Sequence, residues 1–165
     1  MKIEVKPAQL VDAQALADVL TEATQYKLAH NDKAWGSEPY TVEEVTERIS
    51  EGNTYAAWSG TTLVGTVMFL WEDEMTWGHQ PPVAGYLHQA AIKDGFHGLG
   101  YGKQIFDWAA DEVAAKGRTL LRLICRPDNL SLRKYYESLN FIYVKDRKIH
   151  APDKTYTAAL YERKV

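Results

Sequence analysis

Residues 86–110, YLHQAAIKDGFHGLGYGKQIFDWAA, restrict this chain more than any other segment. A short apolar run passes into three alternating glycines, Gly98, Gly100 and Gly102. A stretch follows whose Ile105, Phe106, Ala109, Ala110 and Val113 share one helical face. A strand–glycine loop–helix unit places backbone N–H groups at a helix N-terminus, where they lack intrahelical acceptors and the dipole favours an anion. The segment is therefore a candidate phosphate cradle, or else a glycine-rich turn with no ligand. Two common phosphate motifs fail. The dinucleotide fingerprint started from Gly98 needs a glycine where Lys103 stands, and a Walker loop ending at Gly102-Lys103 needs one at His97.

The rest of the chain reads as alternating short elements with no linker, low-complexity tract or repeat, so one domain is expected over residues 1–165. A strand at 3–6 stops at Pro7, and a helix over 12–29 carries Leu16, Val19, Leu20 and Ala23 on one face. Thr41 with Glu44 forms a capping box that opens a short helix ended by Gly52. Strands at 55–58 and 63–71 flank the turn Ser59-Gly60-Thr61-Thr62, and a loop with Gly78, Pro81 and Pro82 precedes a strand over 84–92. The second helix-forming half gives a helix over 101–116 capped by Gly117, a strand over 120–125, a helix over 130–139, and strands at 141–145 and 155–161. The order βααβββαβαββ is a mixed α/β (α+β) arrangement and not a doubly wound one.

Composition narrows the class. Hydrophobic residues make up 45% and charged residues 25%, which suits a folded globular chain and excludes a disordered one. A net charge of −3 offers no concentrated positive face for nucleic acid. The single cysteine, Cys125, cannot form an intrachain disulfide, and no long apolar run or leader-like segment is present; a cytoplasmic location with no membrane partner is expected. The five histidines form no H-x-H or H-E-x-x-H and there is no C-x-x-C, so no metal is expected. No G-x-S-x-G occurs, and Cys125 has no histidine at a recognisable motif spacing; burial beside Leu121 and Leu123 is its expected fate.

A second informative segment is LRLICRPDNLSLRKYYESLNF, residues 121–141: a strand, a turn and a helix with Leu132, Tyr135, Tyr136 and Leu139 at helical spacing. Taken alone, Tyr136 reads as a core residue and Asn129 as a turn residue or N-cap. The two segments together resemble the GCN5-related N-acetyltransferases. The family loop Q/R-x-x-G-x-G/A is matched by His97-Gly98-Leu99-Gly100-Tyr101-Gly102 except at its first position. The preceding family strand L-H-x-L-A-V matches Leu87-His88-Gln89-Ala90-Ala91-Ile92 without gaps. Downstream, Asn129 and Tyr136-Glu137-Ser138-Leu139-Asn140-Phe141 stand where the family has an Asn and Y-E-K-L-G-F. Asn140 replaces the family Gly and tolerates the left-handed conformation of a C′ position.

The resemblance implies the GNAT acyl-CoA acyltransferase fold with splayed central strands, acetyl-CoA as co-substrate, and direct acetyl transfer to a primary amine. It places the backbone of Ala90, Ala91 and Ile92 along the pantetheine arm. The amides of His97, Gly98, Leu99, Gly100, Tyr101 and Gly102 fall on the pyrophosphate, and Asn129 on the arm or a nearby water. Lys103 and Arg133 are exposed-looking cations for the 3′-phosphate, or solvated surface charges. Tyr136 falls at the family's proton-donor position. His88 matches the second histidine of the arylalkylamine members, which makes it a candidate base because imidazole titrates near neutrality; a hydrogen-bonded structural role is the alternative. Glu72, Asp73 and Glu74 are other candidate bases or electrostatic guides, or simply a solvated acidic run.

The acceptor side implied by the resemblance holds Trp35, Tyr40, Trp71 and Trp77, with Glu38 and the acids Glu72, Asp73 and Glu74 nearby in sequence. Aromatic faces and carboxylates suit a small cationic or aromatic amine; core packing or the surface of a homodimer is the alternative. Two further readings stand beside the small-molecule one: acetylation of a protein N-terminus or lysine, against which Ile124 stands where peptide-modifying members carry Glu, and a catalytically silent acetyl-CoA-binding regulator.

Overall fold

Some elements begin or end for a purely local reason. Thr41 caps a helix reciprocally: the Glu44 amide donates to Thr41 Oγ1 at 3.2 Å, and the Thr41 amide donates to Glu44 Oε2 at 2.8 Å. Asn140 has φ 66° after the helix at 130–138, the left-handed turn expected there. The computed structural model describes all residues, 1–165. Its elements are β1 (Glu4–Pro7), α1 (Ala13–Ala29), α2 (Val42–Ser50), β2 (Thr54–Ser59), β3 (Thr62–Leu70), α3 (Glu74–Trp77), β4 (Ala84–Ile92), α4 (Tyr101–Ala115), β5 (Leu120–Cys125), α5 (Leu130–Ser138), β6 (Ile142–His150) and β7 (Thr155–Lys164).

The seven strands form one mixed sheet in the order β1-β2-β3-β4-β5-β7-β6. Strands β4 and β5 are parallel and pair at Ala84↔Leu120, Gly85↔Leu121 and Tyr86↔Arg122. The β1–β2, β2–β3, β5–β7 and β6–β7 pairs are antiparallel.

The chain divides into two compact units, residues 1–69 with 89–108, and residues 70–88 with 109–165. In the first, Leu16, Val19 and Leu20 of α1 pack with Val45 and Ile49 of α2, Ala56 of β2, Leu63 of β3 and Ala91 of β4. Burying each large aliphatic side chain stabilises the fold by about 1.5–3 kcal/mol. In the second, Trp77, Ala84, Tyr86 and Leu160 form a smaller cluster.

Two expectations are corrected. Residues 74–77 form α3 and not a loop, because Asp73 caps them by accepting the Thr76 amide at 3.3 Å. Strand β6 extends to His150, well past 145, pairing with β7 from Ile142↔Glu162 to His150↔Thr155 with one register shift between Tyr143 and Lys145. Its Lys145, Asp146, Arg147 and Lys148 look unlike a strand because an edge strand carries its charges into solvent; β7 likewise runs on to Lys164.

Candidate active site

Within the first unit the glycine loop has the form of an anion cradle. Gly98 and Gly100 have φ of 77° and 78°, and a Cβ on either would project into open space. Residues 97–100 are exposed. The first bond of α4 runs from the Gln104 amide to the Gly100 carbonyl at 3.2 Å. The amides of Tyr101, Gly102 and Lys103 therefore have no intrahelical acceptor, and Gly100 has no side chain to cap them. The approach to the loop is anchored: the Lys93 amide donates to the Val64 carbonyl at 2.9 Å and the Asp94 amide to Glu22 at 3.1 Å. The His97 ring stacks on Tyr26 at 5.6 Å, so the residue replacing the family's Gln or Arg packs against α1. Lys103 is exposed and ion-paired with Asp107 at 2.5 Å. These residues fit a bound pyrophosphate.

Strand β4 is irregular where it approaches this loop. Gln89 has φ 49°, a conformation that costs a non-glycine residue of order 1–3 kcal/mol and is sustained only by its surroundings. Its side chain is held at both ends: Arg48 donates to Oε1, and Nε2 donates to the Tyr40 hydroxyl at 3.0 Å. The Arg48 guanidinium lies over the Tyr40 ring at 5.0 Å. Burial raises the Tyr40 hydroxyl pKa against the opposing pull of Arg48. Next in β4, Ala91 is approached so closely by β3 that a Cβ on Gly65 would lie 2.7 Å from its carbonyl oxygen. Neither the kink at Gln89 nor its clamp has a sequence signature, since no Gly, Asn or Asp marks the position.

In the second unit, His88 Nε2 lies 2.7 Å from Asp73 Oδ2. Asp73 is held in turn by Thr76, whose hydroxyl and amide both donate to its carboxylate. Burial pushes the Asp73 carboxyl up, but the His88 hydrogen bond and charge, together with Thr76, outweigh it and hold the group below the usual aspartate range. Two residues weighed as alternative bases are thus one Asp–His pair. The Asp-x-x-Thr pattern over 73–76, a helix start, was the available signal for a fixed Asp73. Glu72 and Glu74 are exposed on either side of it.

Tyr136 is half-buried, its ring about 6 Å from those of Tyr135, Phe141 and Tyr161. Asn129 caps α5, its Oδ1 accepting the Leu132 amide at 3.1 Å. Arg133 is not the exposed cation expected. Its Nε donates to the Tyr161 hydroxyl at 2.8 Å, its Nη1 donates to the Pro127 carbonyl at 2.9 Å, and its guanidinium covers Tyr143 at 5.0 Å. Cys125 is buried, as expected.

The aromatic residues of the expected acceptor side already carry cations of the chain itself. In the first unit Lys27 lies 5.1 Å from the Trp35 ring, and Arg48 covers Tyr40. In the second, Lys116 and Arg118 lie 5.2 and 5.0 Å from Trp71. Trp77 is core and not acceptor surface: it is 8% exposed and sits under the Arg122 guanidinium at 4.5 Å. No group of three or more His, Cys, Asp or Glu side chains is arranged to hold a metal ion.

A mixed sheet with a parallel β4–β5 pair and a glycine cradle between β4 and α4 is the architecture of an acyltransferase domain. The model of the acetyltransferase (GNAT) family matches residues 14–141, and the chain belongs to that family. Solved structures of the same fold include a GNAT-family acetyltransferase from Listeria monocytogenes, with a TM-score of 0.74, 19% identity, and coverage of 99% of this chain and 95% of that one. A ribosomal-protein-alanine N-acetyltransferase from Brucella melitensis matches with a TM-score of 0.74 and 14% identity over 98% of this chain and 99% of that one. A phosphinothricin acetyltransferase from Sinorhizobium meliloti in complex with AcCoA matches with a TM-score of 0.73 and 16% identity over 100% and 89%. Among curated proteins none is significantly similar in sequence. One fold thus serves acceptors as different as a ribosomal protein and phosphinothricin, so the acceptor must be argued from side chains.

Proposed function

We propose that the protein transfers an acetyl group from acetyl-CoA directly to the primary amine of a small cationic or aromatic molecule. The observation that carries this reading is the His88–Asp73 pair flanked by exposed Glu72 and Glu74. An ammonium acceptor needs a base to remove its proton, and it gains from negative charge around that base. Because Trp35, Tyr40 and Trp71 already face lysine or arginine, the acceptor's charge falls to the carboxylates and not to the rings.

Acetyl-CoA brings an activated thioester. The amides of residues 97–102 hold its pyrophosphate, with the α4 dipole favouring the charge. Lys103 serves the 3′-phosphate, the backbone of Ala90, Ala91 and Ile92 lies along the pantetheine arm, and Asn129 fixes that arm or a water. Arg133 is left out of this set because its guanidinium is already bonded to the Tyr161 hydroxyl and the Pro127 carbonyl. His88 takes the acceptor's proton. A backbone N–H of β4 steadies charge developing on the carbonyl oxygen, and the Tyr136 hydroxyl supplies a proton to the departing thiolate. The same reading takes residues 1–165 as one acetyltransferase domain in the cytoplasm.

The test is a panel of small amines, amino-acid amides and peptide N-termini incubated with acetyl-CoA while free thiol is followed. Turnover is expected with cationic or aromatic amines. Thiol release with a peptide N-terminus or lysine alone would assign the protein to protein acetylation, and none with any acceptor would make it an acetyl-CoA-binding regulator.

A further inference from the structure

The pair at His88 goes further than a base beside an acid. An ionised carboxylate can only accept, so the ring nitrogen facing Asp73, Nε2, must carry the proton. Asp73 receives three donors: His88 Nε2, the Thr76 hydroxyl and the Thr76 amide. Its side chain is 5% exposed against 19% for His88, so the carboxylate is the inner member and the imidazole the outer one. With Nε2 committed inward, the lone pair is on Nδ1, which has no hydrogen bond within the protein.

We infer that Asp73 is a positioning residue for His88: it fixes the ring with the proton on Nε2, leaves Nδ1 as the proton acceptor, and stabilises the imidazolium that forms. This rests on the reading of His88 as the base. In the step, one N–H bond of the acceptor ammonium breaks and its electron pair stays on the amine nitrogen. The proton bonds to the Nδ1 lone pair, while Nε2–H stays with Asp73. The imidazolium later releases the proton to solvent, and nothing is oxidised or reduced.

The charged and titratable groups around the pair come from three directions. Glu72 and Glu74 flank Asp73 in the chain. Tyr156 of β7 faces it, its hydroxyl pushed up by burial and then by the Asp73 and Asp153 charges. Arg147 of β6 reaches the end of α3, its guanidinium nitrogens 3.3 Å from the position of a Gly78 Cβ. Only Asp73 bonds the ring, and its removal is the change that frees both nitrogens.

Asp73→Asn separates the electrostatic role from the structural one, because Asn caps a helix as well as Asp does. Asp73→Ser is the second variant, capping without charge. Each is compared with His88→Ala by the pH dependence of kcat/KM, by Tm, and by nitrogen NMR of the His88 ring in the acetyl-CoA-free protein. The native ring is expected as the Nε2–H tautomer. In Asp73→Asn the tautomer should mix or invert, since the charged acceptor facing Nε2 is lost, and kcat should fall at least tenfold. The acid limb of the profile should move as well, because the charge facing the ring is gone, a response that a purely capping residue would not produce. If His88→Ala abolishes the acid limb while both Asp73 variants leave limb and tautomer in place, the positioning role is overturned and the base stands. If His88→Ala leaves the limb unchanged, the base reading falls and the role of Asp73 with it.

Discussion

The proposed reaction puts much of its weight on two single side chains, Tyr136 and Asp73. Tyr136 is set among three aromatic rings, contacts that a phenylalanine ring keeps. Tyr136→Phe should therefore fold normally and bind acetyl-CoA with little change by calorimetry. Its kcat should fall by about 10²-fold, the low end for removing a general acid; undiminished turnover would take Tyr136 out of the reaction. Asp73 also contributes to stability with a definite pH sign. Its carboxyl titrates below its unfolded value, so the native state is favoured above the unfolded pKa of about 3.9, and that contribution is lost as pH falls through the lower folded value. Urea midpoints measured from pH 7 downward should decline less steeply below about pH 4 in Asp73→Asn than in the native protein.

At the level of elements, β3, β4 and the glycine loop are fitted to one another closely. A methyl group on Gly65 would meet the Ala91 carbonyl at 2.7 Å, and backbone cannot step aside as a flexible side chain can. Gly65→Ala should cost about 1–3 kcal/mol, the range for overpacking, and lower Tm by several degrees in a calorimetric scan. Gly100 behaves differently: nothing crowds its Cβ position, but its φ of 78° strains any other residue, and a methyl would stand where the cradle opens. Gly100→Ala should weaken acetyl-CoA binding about tenfold or more by titration while Tm changes by only a few degrees. The Thr41–Glu44 capping box is a purely local device, and its loss in Thr41→Ala should cost about 1 kcal/mol.

On the scale of the whole chain, β4 and α4 each continue from one compact unit into the other, which favours one cooperative transition. Unfolding followed by circular dichroism and by tryptophan fluorescence should coincide, and acetyl-CoA at a hundred times its Kd should add about 2.7 kcal/mol. No helix is long and apolar enough to cross a membrane. What could be read beforehand was local. The bounds of β4 and β5, the capping box, the left-handed Asn140 and the glycine loop follow from periodicity, capping chemistry and the φ freedom of glycine within a few residues. The expected β6 stopped short because its charges hid an edge strand whose only evidence is pairing with β7. The site itself depended on contacts no local pattern records. Asp73 and His88 are 15 residues apart, and α3 and β4 bring them together. Arg133 is tied down because Tyr161, 28 residues on, accepts from it. The aromatic excess that suggested an acceptor pocket is partly absorbed by Lys27, Arg48, Lys116 and Arg118. Propensity and periodicity act over one or two turns of chain and set the elements. Which charge meets which ring or carboxylate depends on strand register and packing between distant segments, and those exist only once the chain has folded.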